Sequence, residues 1–213
     1  MTITRRHVFL PSGDLKLEGT LSYPEGVSLC PGVVICHPHP AYAGDMNNNV
    51  VLGVKGVLEN AGFAVLRFNF RGVNLSEGIY DEGRGETTDV ISAIAYLTRQ
   101  GMVDQARVFL GGYSFGAWVA LKAAGHMKGI RAIAAISPPL RVLDFSFLQN
   151  FATPTLLVLG DEDIFCKVKD LENAFEQIGS RKKKVIVTKT DHFYWGREEE
   201  LGEVVKDFFL EER

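Results

Sequence analysis

The chain has 213 residues, of which 46% are hydrophobic and 23% charged, with 8 prolines and a formal net charge of −3. This composition excludes a mostly disordered, a collagen-like or a disulfide-scaffold protein, and the length fits one domain spanning residues 1–213. A nucleic-acid-binding protein is expected to show a basic excess, and the one basic cluster, residues 181–184, is typical of a solvated turn before a strand. We therefore expect a small-molecule partner and no nucleic acid, and a homo-oligomer stays open.

Cysteine usage and the lack of long apolar stretches indicate the compartment. Cys30, Cys36 and Cys166 form at most one disulfide, and there is no C-x-x-C pair that would suggest a zinc or redox site. Reduced thiols are therefore expected, which predicts a cytoplasmic protein. The N-terminal residues lack the apolar stretch of a signal peptide, and no run of 18 apolar residues predicts a membrane span.

The predicted elements begin with two extended runs, residues 3–10 and 15–23, which are separated by turn-forming residues and predict a β-hairpin. From residue 32 onwards, short apolar runs alternate with amphipathic stretches of helical length. The runs that predict buried strands are residues 32–36, 63–68, 107–110, 130–136, 155–159 and 184–187. The stretches that predict helices are residues 48–60, 86–99, 114–124, 167–178 and 197–210.

This alternation of strands and helices predicts an α/β fold. Right-handed crossovers give a mostly parallel sheet with helices on both faces, and the hairpin becomes its antiparallel edge. In such a sheet, ligands bind beyond the carboxyl ends of the strands. Candidate functional residues are therefore expected directly after each apolar run.

A G-x-S-x-G motif, Gly112 to Gly116 with Ser114 at its centre, follows the strand predicted at residues 107–110. Its strand-turn-helix context is that of a nucleophile elbow. A serine in this turn must adopt a strained backbone conformation to project its hydroxyl, and side chains two residues before and after it would collide. Gly112 and Gly116 remove those side chains. The alternative reading is a glycine-rich strand end with a helix-capping serine.

Two later loops carry candidate partners for Ser114. Asp161 and Asp163 follow the run at residues 155–159, and His192 follows the run at residues 184–187. A histidine that acts as general base needs a carboxylate on its other ring nitrogen, which holds the tautomer and stabilises the imidazolium. Asp163 is the candidate because a residue further beyond the strand can turn across the sheet's end, whereas Asp161 is expected to support the turn. The chain order Ser, Asp, His also fits this architecture.

Two other classes of function compete with this interpretation. A metal site would draw on the histidines at the strand ends and beyond, which are His37, His39, His126 and His192. Two prolines flank His39, however, and no H-E-x-x-H motif accompanies the pair. A non-catalytic binding protein could use the same fold. The complete set of serine, histidine and aspartate favours catalysis, and we expect no metal and no cofactor.

With these motifs, the chain resembles the α/β-hydrolase superfamily, in particular small serine hydrolases related to dienelactone hydrolase. The resemblance covers nearly the whole chain and also rests on residues 37–40, 69–76, 160–163 and 191–193. It implies an α/β-hydrolase fold and favours Asp163, at the end of a G-x-x-D pattern, as the acid. Dienelactone hydrolases carry a cysteine at the position of Ser114, and many relatives read D-x-R-G-x-G-x-S where this chain has Asn69 and Asn74.

The resemblance also implies an oxyanion hole made of two backbone amides. One amide is that of Phe115, and the other lies in the loop after the strand at residues 32–36. Pro38 and Pro40 have no N–H, so His39 is the expected donor, with Tyr42 as the alternative if the loop folds back. His37 is expected to anchor this loop through its side chain.

The expected substrate follows from residues 137–154, where insertions that cover the active site commonly lie in this superfamily. This short segment holds at most one helix, around residues 143–151, which predicts an open pocket with little or no cap. Its expected apolar walls are Tyr42, Phe145, Phe147, Leu148, Phe151 and Phe165. We predict hydrolysis of esters of small acyl groups through an acyl-enzyme, and thioester or amide hydrolysis would use the same residues.

Overall fold

The computed structural model describes residues 1–212, apart from the side chain of Asn150. Its strands are β1 (Ile3–Ser12), β2 (Leu15–Pro24), β3 (Cys30–Cys36), β4 (Ala64–Phe68), β5 (Val103–Tyr113), β6 (Ile130–Ile136), β7 (Thr155–Gly160) and β8 (Lys182–Val187). Its helices are α1 (Asn49–Asn60), α2 (Arg84–Thr98), α3 (Phe115–Gly125), α4 (Val168–Gln177) and α5 (Glu198–Glu211). None of these helices is long and apolar enough to cross a membrane.

The eight strands form one sheet in the order β1-β2-β4-β3-β5-β6-β7-β8. β1 and β2 form the predicted antiparallel hairpin, which turns at Gly13 with φ of +60°, and β2 runs antiparallel to β4. All pairings from β4 through β3 to β8 are parallel. The predicted α/β-hydrolase architecture is therefore confirmed. β5 starts earlier than predicted because Val103 pairs with Cys30 across an irregularity in the β3 ladder.

Two apolar layers cover the faces of the sheet. On one face α2 and α3 pack against residues such as Val34 and Leu110, and on the other α1 and α5 pack against Val33 and Phe109. Successive strand residues point to opposite faces, so a strand buried on both sides reads as a continuous apolar run. All seven residues of β3 are buried. This arrangement holds the carboxyl ends of β3, β5, β7 and β8 on one edge.

The segment between β6 and β7 contains less helical structure than predicted. Instead of a helix at residues 143–151, it forms a 3₁₀ turn at Ser146–Asn150. The segment is anchored on α3, because the indole N–H of Trp118 donates to the carbonyl of Asp144 at 2.7 Å. Within this segment, the side chain of Leu148 is fully buried.

His37, directly after β3, ties two loops together in the interior. Its Nδ1 bonds the carbonyl of Pro38 at 2.7 Å, and its Nε2 accepts the amide of Phe70 at 3.0 Å. Because Nε2 is an acceptor, Nδ1 carries the proton and the ring is neutral. Complete burial lowers the pKa of His37 to about 4. These two hydrogen bonds are the side-chain contacts expected if His37 anchors the loop after β3.

The buried neutral imidazole predicts a pH-dependent stability. The unfolded chain, with a His37 pKa near 6.5, binds this proton before the folded chain does, so the contribution to stability is complete above pH 6.5. We expect the free energy of unfolding to fall by about 3 kcal/mol from this group as the pH drops from about 6.5 to about 4. Urea unfolding at a series of pH values measures it.

The matched variant is His37→Gln, which keeps an acceptor for the Phe70 amide and does not titrate. Its stability at neutral pH is expected to be lower, but its loss of stability between about pH 6.5 and 4 should be smaller than that of the wild type. Equal pH slopes for the two proteins would contradict the account.

Candidate active site

Ser114 occupies a strained turn between β5 and α3, with φ of 54° and ψ of −119°. The turn is held by its own amide, which donates to the carbonyl of Ile136 at 2.8 Å. A Cβ atom at Gly112 would lie 2.3 Å from the carbonyl oxygen of Gly116, and one at Gly116 would lie 2.4 Å from that of His37. Both positions therefore require glycine, for the steric reason that the motif suggested.

The Ser114 hydroxyl points away from the sheet and meets His192. Its Oγ lies 3.0 Å from His192 Nε2, and His192 Nδ1 lies 2.7 Å from Asp163 Oδ2. Asp163 is fully buried and His192 is 6% exposed. The three predicted residues thus form one hydrogen-bonded chain. The helix-capping interpretation of Ser114 is disfavoured because the hydroxyl is engaged with the imidazole.

The electrostatics of Asp163 favour its ionised form. Burial opposes ionisation, but the hydrogen bond and electrostatic interaction with His192, together with hydrogen bonds from the Ser137 side chain and the Phe165 amide, outweigh it and hold the pKa of Asp163 below its usual value. Oδ1 also accepts the amides of Phe165 at 2.8 Å and Cys166 at 3.2 Å. An ionised Asp163 accepts the Nδ1 proton of His192, which leaves Nε2 free to accept a proton from Ser114.

Asp161 has a different environment from Asp163. It is exposed, and its Oδ1 accepts the amide of Thr190 at 3.2 Å, which joins the loops after β7 and β8. It makes the turn contact expected of it, and only Asp163 faces His192.

The two amides expected to form an oxyanion hole belong to Phe115 and His39, which line the same cavity as Ser114. Phe115 is the first residue of α3, so its N–H has no carbonyl four residues earlier within the helix. His39 lies at the start of the 3₁₀ turn Pro40–Tyr42, and its carbonyl accepts the amides of Tyr42 and Gly44, each at 3.1 Å. The Tyr42 amide is therefore engaged inside the loop, which favours His39 as the donor.

The His39 side chain is held by contacts of its own next to Ser114 and Phe115. Its Nδ1 accepts the amide of Ala41 at 3.1 Å, so Nε2 carries the proton and bonds the Tyr80 hydroxyl at 3.2 Å. Burial lowers the pKa of His39. The ring packs against Phe115, with centroids 4.8 Å apart. These contacts hold the His39 backbone beside the elbow.

A cavity of about 530 Å³ opens above Ser114. It is mostly apolar, and its lining residues are Pro38, His39, Tyr42, Ala43, Gly44, Asn48, Tyr113, Ser114, Phe115, Pro139, Val142, Leu143, Phe165, His192 and Phe193. Tyr42 and Phe165 thus lie where they were predicted. Val142, Leu143 and Phe193 were missed, although their closeness to a strand end or to His192 is a signal that could have found them.

The prediction that Phe145, Phe147, Leu148 and Phe151 line the pocket is wrong. Phe145, Leu148 and Phe151 are buried in the core on the α3 side, and Phe147 stacks on Phe145 with centroids 5.9 Å apart. After Leu143 the segment packs against α3, where the indole N–H of Trp118 donates to the carbonyl of Asp144, and its apolar side chains are buried in that core. Phe147 and Phe151 line a separate cleft of about 330 Å³ instead.

The histidines considered as metal ligands do not converge. Both ring nitrogens of His37 are engaged in the interior, and His126 lines the separate cleft with Phe147. Within residues 1–212, no three His, Cys, Asp or Glu side chains form a cluster suited to a metal ion.

Comparison with known proteins adds to this geometry. A family model described as X-Pro dipeptidyl-peptidase, the S15 family, matches residues 15–146. An uncharacterised protein of Rickettsia prowazekii (strain Madrid E) is 34% identical over 188 residues, which cover 84% of this chain and 79% of that protein. An α/β serine hydrolase homologue from Coxiella burnetii has a solved structure that is similar to this one with a TM-score of 0.86 and 32% identity, covering 96% of this chain and 97% of the other.

A second solved structure, from Xanthomonas campestris, is described as an α/β serine hydrolase without lid. It has a TM-score of 0.86 and 29% identity, with coverage of 97% of this chain and 94% of the other. The predicted membership of the α/β-hydrolase superfamily is confirmed, whereas the dienelactone hydrolase branch stays a prediction. Because the family model matches more than half of the sequence, the chain belongs to the S15 family of α/β hydrolases and is a hydrolase of the α/β serine hydrolase type.

Proposed function

We propose that this protein is a serine carboxylesterase that cleaves esters of small acyl groups. The observation that carries the proposal is the chain of hydrogen bonds from Ser114 through His192 to Asp163 at the floor of an open, mostly apolar cavity. Nucleophile, base and orienting carboxylate within hydrogen-bond reach of one another are the arrangement that acyl transfer needs.

In the proposed mechanism, Ser114 Oγ attacks the ester carbonyl carbon while His192 Nε2 takes the hydroxyl proton. The negative charge that forms on the carbonyl oxygen is stabilised by the amides of Phe115 and His39. His192 then donates its proton to the departing alkoxide, which leaves an acyl group on Ser114. Water attacks this acyl-enzyme while His192 takes its proton, and His192 then returns that proton to Ser114 Oγ as the bond to the acyl carbon breaks and the acid product leaves. Asp163 stays ionised throughout and stabilises the imidazolium.

An ester is a better candidate than the N-terminal dipeptide implied by the description of the family model. An enzyme that removes a dipeptide from an amino terminus must bind a charged α-ammonium group, which is costly to bury without an acidic partner. Among the residues that the structure describes, those that line the cavity include no Asp or Glu. Thioesters and simple amides lack that charge, so they remain alternative substrates for the same residues.

The open form of the cavity supports small acyl groups. Its rim includes Tyr42, which is 83% exposed, and Val142, which is 67% exposed. The segment after Leu143 packs on α3 and does not cross the cavity. A long acyl chain would therefore remain largely in water, where it contributes little binding free energy. The similar protein from Xanthomonas campestris is likewise described as lacking a lid.

The first test replaces the proposed nucleophile. Ser114→Ala should keep the fold and lower the hydrolysis of p-nitrophenyl acetate at least about 10³-fold, because the members of such a triad act as a unit. Circular dichroism controls for folding, and wild-type activity should survive a metal chelator. A variant with wild-type turnover, or a wild type that is inactivated by chelation, would contradict the proposal.

The second test measures acyl-chain preference with p-nitrophenyl esters. We expect kcat/KM to be highest for acyl groups of about two to six carbons, because a long apolar groove would instead add about 0.8 kcal/mol for every further buried methylene. A maximum at about ten carbons or beyond would contradict an open pocket. Thioesters and amides with the same acyl groups complete the series, and a thioester preference would assign the alternative activity.

The third test compares the two neighbouring aspartates. Asp163→Asn should lower kcat by up to about 10⁴-fold, because His192 loses the carboxylate that fixes its tautomer. Asp161→Asn is the matched control, and it should cost at most about 1 kcal/mol of stability with little change in kcat, since the amide oxygen still accepts from Thr190. The opposite ranking of the two kcat losses would assign the acid to Asp161.

A further inference from the structure

The loop that carries His192 has an alternating pattern of burial. Thr190, His192 and Tyr194 point inward, whereas Asp191, Phe193 and Trp195 are exposed. The exposed side chains do not tie the loop to the core. Its position therefore depends on the backbone contacts and on the few inward-pointing side chains, which makes the bonds of those groups decisive for where the imidazole lies.

Tyr113 is the last residue of β5 and stands directly before Ser114. Its ring is buried, and its hydroxyl donates to the backbone carbonyl of His192 at 2.7 Å. The two rings lie 5.3 Å apart. The strand that presents the Ser114 hydroxyl thus also holds the main chain of His192.

Tyr194 makes a second such bond two residues further along the loop. It is fully buried, and its hydroxyl lies 2.8 Å from the hydroxyl of Ser137, which follows β6. Tyr194 and Ser137 both have positive φ, of 54° and 43°. This conformation costs a non-glycine residue of order 1 kcal/mol, and such strain concentrates where a side chain serves a site. Glycine would relieve the strain but would lose the bond.

Both phenols keep their protons over the range in which esters are assayed. Burial raises the pKa of Tyr113 and that of Tyr194. Both hydroxyls thus keep a proton for hydrogen bonding, and neither serves as a base.

We propose that the hydroxyls of Tyr113 and Tyr194 are positioning groups that hold the His192 loop in register with Ser114. The inference rests on the proposed function, in which His192 is the base. Asp163 orients the imidazole ring, but the separation of His192 Nε2 from Ser114 Oγ depends on where the loop backbone lies. Displacement of a reacting group by about 1 Å can lower a rate about 10²-fold, so these two bonds bear directly on turnover.

The experiment uses Tyr113→Phe and Tyr194→Phe, each of which removes only a hydroxyl. We expect kcat for a p-nitrophenyl ester to fall about 10-fold or more in each variant, while KM stays within about twofold, because the lost bonds hold the base and not the substrate. Tyr96→Phe, at a half-buried position in α2, is the matched control and should keep wild-type kcat. Wild-type kcat in both loop variants would overturn the proposal.

A second measurement separates positioning from a general loss of structure. In a His192→Ala background, the Tyr113→Phe and Tyr194→Phe changes should leave the residual rate unaltered, since they act through His192. If they lower that rate by the same factor as in the wild type, their role is structural and the proposal fails.

A spectroscopic readout works without substrate. Proton NMR of the His192 Nδ1–H, which is bonded to Asp163, should show a signal that is broadened by exchange in Tyr113→Phe and unchanged in Tyr96→Phe. An identical signal in all variants would contradict the proposal. Wild-type turnover in Ser114→Ala would instead refute the proposed function and leave this result interpretable.

Discussion

The backbone of Ser114 is the constraint on which the site depends. The surrounding structure holds its backbone at a positive φ. Gly112 and Gly116 are packed closely against backbone atoms, and the Ser114 amide is hydrogen-bonded to the end of β6. α3 is apolar on almost every side and is buried between the sheet and α2. The nucleophile is therefore oriented by the core of the protein and not by a surface loop.

The other groups of the site come from loops that follow neighbouring strands. β7 and β8 are adjacent, so Asp163 and His192 meet at one edge, and β3 brings His39 to the opposite side of Ser114. Burial acts differently on each group. Asp163 stays ionised because amides and His192 surround it, whereas His37 stays neutral because its partners are a carbonyl and an amide. The protein thus keeps a negative charge on Asp163 at the site, whereas the His37 side chain that anchors the loop stays uncharged.

The fold and the candidate residues Ser114, His192 and Asp163 could be predicted from the sequence because each is marked by its position relative to a nearby strand. A run of apolar residues marks a strand, and residues just after it lie at the sheet's edge. The walls of the cavity could not be predicted in this way, since Phe145 in the core and Phe165 at the cavity are both aromatic residues in loops. The hydrogen bond between Trp118 and Asp144 anchors this segment on α3, and it joins residues far apart in sequence. The hydrogen bond of Tyr113 with His192 could not be predicted either, because these residues are also far apart in sequence.

The role of Ser114 as nucleophile is tested most directly by covalent labelling with a fluorophosphonate, followed by mass spectrometry of the intact protein and of its peptides. We expect one equivalent of label per chain, attached to Ser114, with loss of esterase activity in proportion to labelling. Asp163→Asn should slow the labelling reaction, because proton removal by His192 is impaired. Complete inhibition without a label on Ser114, or full activity with Ser114 labelled, would contradict this role.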